Sequence, residues 1–266
     1  MPATQLNLFH DPWGTLAYDL LTCQSQSAQT ITLICGYSRS CRDFKLWQKK
    51  WHRLNYHVLL YDNRGSGASQ ANQPFDFHQH TRDLKYLWQQ LGIKKSHVIA
   101  FSMGGVIASL LATKSPELFH SLTLISTAID TRHFISNILT SKTLWHPVAS
   151  YVSQDFANKQ PSFLTALQKN MDQLTQNPEI RQQLSWQQAA FQRAPFAEIN
   201  LNHLRAPALV MHGQDDQIIS VDSAHHLCQI LPQATMMTYP SCGHLLLAEC
   251  GSQLFADIAY FLESIK

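Results

Sequence analysis

A serine, an aspartate and a histidine fall, in that order along the chain, just past the ends of three apolar segments. The first lies in Ala100-Phe101-Ser102-Met103-Gly104-Gly105, between the run His97 to Phe101 and a helical run that begins at Met103. A serine on such a strand-to-helix turn is pressed onto an exposed, strained corner, and small neighbours (Ala100, Gly104) keep adjacent backbone from colliding with it. The helix start behind it supplies free N–H groups and a positive dipole end, both useful where an oxyanion forms. A turn rich in small residues also suits phosphate binding or plain close packing, so Ser102 alone decides little.

Asp215 and Asp216 follow the run Ala208 to His212, and His244 follows Ala234 to Tyr239 in Ser241-Cys242-Gly243-His244. A serine hydroxyl is a weak nucleophile until a base takes its proton. An imidazole can take and return that proton, and a carboxylate can orient the ring and stabilise its charged form. Ser, Asp, His is one of the three convergent chain orders of that trio, and each member stands where a parallel sheet gathers its functional loops.

Other reactive side chains read differently. Cys35 at a strand end and Cys242 beside His244 are rival nucleophiles, but neither has a base placed for it by the sequence. Asp62 and Arg64 sit in Asp62-Asn63-Arg64-Gly65-Ser66-Gly67, where the glycines permit a tight turn and the charged pair ties it down. No third glycine follows, so no dinucleotide site is implied. Asp83 reads as an exposed helix charge or a local anchor. The fourteen histidines include no His-Glu-x-x-His, and His78 and His80 leave a helix on different faces, so no metal or other cofactor is expected.

The elements that must position these residues can be read from hydrophobic periodicity. Leu6 to Phe9 and Thr15 to Leu21 flank the turn Asp11-Pro12-Trp13-Gly14, an opening hairpin. Ile31 to Cys35, His57 to Tyr61, His97 to Phe101, Ser121 to Ile125, Ala208 to His212 and Ala234 to Tyr239 read as strands. Helical patterns lie at Phe44 to Leu54, Phe77 to Leu91, Met103 to Lys114, Val221 to Leu231 and Leu254 to Ile265. Strand alternating with helix predicts an α/β fold with a mostly parallel central sheet. The alternation fails once, so residues 129–199 are expected to form a helical cap insertion between core segments 1–128 and 200–266. The cap aromatics Phe134, Trp145, Tyr151, Phe156, Phe163, Trp186, Phe191 and Phe196 would be mostly core, with a minority lining a substrate pocket.

Composition narrows the partners. The 266 residues are 45% hydrophobic, enough for one sizeable core, which excludes disordered and fibrous chains. Twenty Lys and Arg against eighteen Asp and Glu leave +2 at pH 7 with no long block of one sign, so a small-molecule partner is expected and no nucleic acid. No apolar run reaches the roughly 18 residues that span a bilayer, and the opening residues lack a secretory pattern, which predicts a cytoplasmic protein away from the membrane. Six cysteines without a Cys-x-x-Cys pair read as free thiols.

With these motifs in view, nearly the whole chain resembles the α/β-hydrolase superfamily, in its serine-hydrolase branch with a helical cap. The resemblance rests on Ala100 to Gly105, on Asp62 to Ser69, on Gly213-x-x-Asp216, and on Gly243-His244 with Glu249 five residues beyond His244. It implies Ser102 as nucleophile, His244 as base and Asp216 as acid, with Asp215 and then Asp130 as alternatives. It also implies an oxyanion hole from the backbone N–H groups of Met103 and Tyr37. The family's usual His-Gly before that loop is Cys35-Gly36 here, a departure that bears on the loop's anchoring hydrogen bonds. The expected activity is hydrolysis of a small carboxylic ester, lactone or thioester through an acyl-enzyme. The alternatives are a carbon–carbon hydrolase or lyase, a proline iminopeptidase-like enzyme, or a non-catalytic binder of the same fold.

Overall fold

A computed structural model describes residues 6–25, 27–135, 139–140 and 144–265. The opening hairpin forms as the turn residues require: β1 (Asn7–Asp11) and β2 (Gly14–Leu21) pair antiparallel, with Asp11 opposite Gly14. The chain then alternates through β3 (Thr30–Ile34), α1 (Lys45–Arg53), β4 (His57–Tyr61), β5 (Gln70–Ala71), α2 (Phe77–Gln90), β6 (Ser96–Phe101), α3 (Met103–Lys114) and β7 (Phe119–Ile125). It resumes with β8 (Ala208–Gly213), α7 (Asp222–Ile230), β9 (Ala234–Tyr239), α8 (Leu246–Glu249) and α9 (Gly251–Ser264). Among the described residues one sheet runs in the order β1-β2-β4-β3-β6-β7-β8-β9, parallel from β4 to β9, with the two-residue β5 paired to β2. Such a short strand carries no periodic signal, which is why the sequence does not announce β5.

Alternate strand residues face opposite helical layers, as expected of a sheet covered on both sides. Val98, Ala100, Leu122, Leu124, Ala208 and Val210 pack with Leu84, Leu87 and Trp88 of α2, the apolar face of α3, and Ala224 and Leu227 of α7. Their neighbours Ile99, Phe101, Ile125, Leu209 and Met211 pack with Trp47 and Trp51 of α1 and with Leu254, Ile258, Phe261 and Leu262 of α9. This two-sided core holds the carboxyl ends of β3, β6, β7 and β8 level along one edge.

Between β7 and β8 the chain makes α4 (Gln154–Lys159), α5 (Pro161–Gln176) and α6 (Pro178–Gln192). Prolines open α5 and α6 at positions where a missing N–H costs nothing, and Asn177 caps α6 by accepting from the Glu179 and Ile180 amides. Before α4 the described residues include 3₁₀ turns at Thr131–His133 and Val148–Tyr151. The segment is tied to both layers: Leu167 and Met171 join one cluster, Phe191 the other. Among the described residues no helix is long and apolar enough to cross a membrane.

Candidate active site

Ser102 stands at the carboxyl end of β6 with φ 53° and ψ −121°, a region that costs a non-glycine residue about 1–3 kcal/mol. The surroundings over-determine it. Its amide donates to the Ile125 carbonyl at 2.9 Å, and its own carbonyl accepts from Thr127 Oγ1 at 2.7 Å and from the Gly105 amide at 2.8 Å. Gly104 cannot be larger, because a Cβ there would lie 2.6 Å from the carbonyl oxygens of Ile34 and Cys35. Met103 opens α3, so its amide has no intrahelical acceptor.

The acid comes from the loop after β8. Asp216 is buried, and its Oδ1 accepts from the amides of Ile218 and Ile219 at 2.8 and 3.0 Å. Its Oδ2 lies 2.8 Å from His244 Nδ1 and 3.1 Å from Nε2 of His212, a second buried imidazole that also reaches the Ile219 carbonyl at 3.0 Å. Burial alone would raise the Asp216 pKa. The two histidines outweigh it and hold the carboxyl well below the usual carboxylate range, so it is ionised at neutral pH. On its other side His244 places Nε2 3.0 Å from Ser102 Oγ. With Nδ1–H donating to the carboxylate, Nε2 is left to accept the serine proton.

The loop that carries His244 is held by Glu249. Its carboxylate accepts from the Gly243 amide at 2.9 Å and, across the interface with the inserted segment, from the Ser153 amide at 2.9 Å. A sequence landmark thereby acquires a physical task. His212 is the residue that sequence reasoning passes over, because it reads as one more position in an apolar run; its spacing of four from Asp216 is the one available signal.

The remaining candidates separate cleanly. Asp215, next to the acid in sequence, is exposed, and Asp130 accepts from its own neighbour Arg132 at 2.6 Å. Burial pushes the thiols of Cys35 and Cys242 up, away from nucleophilic thiolate character. Asp83 is buried rather than an exposed helix charge: Arg64, also fully buried, bonds its carboxylate at 2.8 Å and reaches Asp11 at 2.6 Å. Among the described residues no three His, Cys, Asp or Glu side chains gather as a metal donor set.

Tyr37 lies on the loop after β3. Asn63 Nδ2 donates to the Cys35 carbonyl at 2.8 Å, and Asp62 Oδ1 accepts from the Cys41 amide at 2.6 Å and from Ser40 Oγ at 3.0 Å. The other Asp62 oxygen accepts from the Ala68 amide at 2.7 Å, so the glycine-rich turn and the Tyr37 loop are one clamped unit. Ser38, with φ 58°, donates its amide to Gln187 Oε1 of α6 at 2.7 Å.

Ser102 and His244 open into a cavity of about 420 Å³. Phe101, Leu167, Met171, Leu174, Trp145, Tyr151 and Leu245 give it an apolar side, while Arg39, Arg42, Asp43 and Asp62 mark a polar end. Of the aromatics singled out in residues 129–199, Trp145 and Tyr151 line this cavity. Phe134, Phe191 and Phe196 pack on one another instead, and Trp186 joins Ala71 and Phe75.

Comparison with known proteins agrees with this architecture. A carbamate hydrolase, RutD, so named provisionally, from Pseudomonas syringae pv. syringae is 27% identical over 240 residues, 85% of this chain and 91% of that protein. Lipase 3 of Moraxella sp. is 26% identical over 257 residues, 90% of this chain and 79% of that one. An α/β hydrolase from a Medee basin deep-sea metagenome library superposes with a TM-score of 0.86 at 16% identity, covering 97% of each chain. The family model described as serine aminopeptidase, S33, matches residues 25–251. The chain belongs to that family and is a hydrolase with the α/β-hydrolase fold.

Proposed function

We propose that Ser102, His244 and Asp216 form a catalytic triad that hydrolyses a small carboxylic ester through an acyl-enzyme. The observation that carries this reading is the continuous contact from Asp216 Oδ2 through His244 to Ser102 Oγ, 2.8 and then 3.0 Å, at the wall of the cavity. His244 Nε2 takes the serine proton as Oγ attacks the carbonyl carbon, and the ionised Asp216 stabilises the imidazolium. The amides of Met103 and Tyr37 hold the oxyanion of the tetrahedral intermediate. His244 then gives its proton to the leaving alcohol, and water repeats the sequence on the acyl-enzyme to release the acid. Residues 129–199 act as the cap that closes this cavity.

The cavity itself favours an ester over a peptide with a free amino terminus, despite the family's description. Recognition of an ammonium calls for an available carboxylate, and both acids that line the cavity already have partners, Asp62 through both oxygens and Asp43 through one. Asp43 is paired with Arg39 at 2.6 Å, and Asp62 accepts from Ser40, Cys41 and Ala68. The name of the Moraxella relative, a lipase, points the same way.

Hydrolysis of p-nitrophenyl esters from acetate to decanoate by wild type and Ser102→Ala tests the reading. Turnover is expected to fall at least about a thousandfold in the variant, with the melting midpoint nearly unchanged. Equal turnover in the two proteins would put the chemistry elsewhere. The chain-length optimum reports how much of the apolar side the acyl group fills.

A further inference from the structure

The Tyr37 loop has an anchor that lies far from it in the chain. Gln187 is fully buried on α6, and its carboxamide makes two bonds: Oε1 accepts the Ser38 amide at 2.7 Å, and Nε2 donates to the Arg64 carbonyl at 3.0 Å. One side chain thus joins the loop after β3 to the glycine-rich turn. Ser38 is the residue in the loop that most needs such a bond, because its φ of 58° is a strained conformation for a side chain with a Cβ. A second contact from the same helix reaches Tyr37 itself, whose hydroxyl lies 3.4 Å from the Leu184 carbonyl. Tyr37 is therefore flanked by α6 on two sides, at its phenol and at the peptide that follows it.

We propose that Gln187 is a positioning residue for the oxyanion loop: by fixing the Ser38 amide it restrains the backbone on the far side of Tyr37 and so holds the preceding Gly36–Tyr37 peptide, whose N–H faces the tetrahedral intermediate, in its orientation. This rests on the triad reading above and extends it, by making correct docking of α6 a condition for full activity. The physical reason is that a donor accelerates the reaction only if it already points at the developing charge. A loop kept in shape by a neutral carboxamide that both donates and accepts meets that condition without adding a buried charge. The Cys35-Gly36 sequence, lacking the family's usual histidine, leaves this role open for a side chain of the inserted segment to fill.

Gln183 supplies the control. It stands one turn earlier on α6 and makes a similar pair of bonds, to the Ala71 amide at 2.8 Å and the Ala71 carbonyl at 2.9 Å, which tie the helix to β5 rather than to the Tyr37 loop. The experiment compares wild type, Gln187→Met, Gln187→Glu and Gln183→Met. It follows p-nitrophenyl ester turnover, the rate of phosphonylation by a fluorophosphonate read by intact mass, and the melting midpoint.

Gln187→Met is expected to lower kcat and the phosphonylation rate together by about ten- to a hundredfold, with KM within about threefold of wild type. Gln187→Glu keeps an acceptor for the Ser38 amide, but only its protonated carboxyl can also donate to the Arg64 carbonyl, so it should lose rate at alkaline pH and recover most of that loss, relative to wild type at the same pH, as pH falls. Gln183→Met should stay within about threefold of wild type in both rates, whatever its melting midpoint. Wild-type phosphonylation rates in Gln187→Met, equal losses in both methionine variants, or no recovery of Gln187→Glu toward lower pH would each overturn the positioning role while leaving the triad intact. A wild type that takes no phosphonate on Ser102 would instead overturn the triad reading, and this inference with it. Should Gln187→Met fail to fold, the rate loss of Gln187→Glu at alkaline pH and its recovery as pH falls, set against pH-independent wild-type-like rates in Gln183→Met, decide the matter.

Discussion

The two arms that meet at Ser102 are held in different ways. On the acid side, Asp216 is gripped by residues next to it in the chain: the Ile218 and Ile219 amides two and three positions on, and His212 four positions back. On the proposed oxyanion side, the Tyr37 loop is gripped from a distance, by Asp62 and Asn63 on another loop and by Gln187 at a separation of 149 residues. The Asp216 carboxylate is held locally, while its loop is also bonded to the inserted segment, where the Ile135 amide donates to the Ile218 carbonyl at 3.0 Å and the Ser220 amide to the His133 carbonyl at 2.8 Å. The oxyanion arm exists only once three separate segments have assembled. The bonds of the carboxylate itself are mostly short-range, whereas those from Asp62, Asn63 and Gln187 that hold the Tyr37 loop all cross between segments, so that loop depends on how α6 sits.

The sharpest way to break this contrast is at the acid. In Asp216→Asn the backbone donors at Ile218 and Ile219 and the strand beneath them persist, so the fold is expected to survive. The amide that replaces Oδ2 can no longer stabilise an imidazolium, and it favours the wrong tautomer of His244. Ester turnover should fall by about ten-thousandfold. A fall of less than tenfold would mean that another carboxylate serves the imidazole.

The same division decides what the sequence reveals. The triad candidates are legible because each sits at a fixed offset from a strand end, and strand ends are marked by hydrophobic runs. His97 to Phe101 and Ala208 to His212 predict β6 and β8 to within a residue at each end. His212 and Gln187 are not legible, for two physical reasons. A buried histidine inside an apolar run has the same pattern as a core residue. A glutamine on an inserted helix has no signature at all until the helix is docked. Asp83 is legible only in part: the sequence leaves open an exposed helix charge or a local anchor, and only Arg64, brought in from another loop, decides for the anchor.

A second, smaller effect probes the assembled side through pH. His80 is buried beside Arg64, edge-on to Phe75 and Phe77, and among the described residues neither of its ring nitrogens has a hydrogen-bond partner. Burial, reinforced by Arg64 and only partly opposed by Asp76, pushes its pKa down to about 3. The unfolded chain takes up that proton near pH 6.5, whereas the folded chain resists until near pH 3. The stability that neutral His80 permits is therefore whole above pH 6.5 and declines as pH falls through the window, by on the order of 1 kcal/mol per pH unit. Melting midpoints from pH 8 to pH 3 should show a shallower acid decline for His80→Leu than for wild type. Parallel curves would mean that His80 is protonated in the folded state without cost.

The smallest effect is expected at Asp215, and its smallness is informative. Asp215 and Asp216 are adjacent carboxylates past the same strand, so sequence alone offers both as the acid. The fold separates them through backbone geometry. The Asp215 amide donates to the Cys242 carbonyl at 2.9 Å, which fastens the backbone there to the His244 loop, while its side chain is left at the surface. Asp216 alone turns inward to His244. An exposed carboxylate near the site acts only through a solvent-screened field, worth little at physiological salt. Asp215→Asn should therefore keep ester turnover within about twofold of wild type and leave the melting midpoint within the usual ±0.5 kcal/mol of a surface substitution. A loss approaching that of Asp216→Asn would show that the two carboxylates exchange places in solution. The acid arm would then be the adaptable one, and the contrast with the Tyr37 loop would have to be reversed.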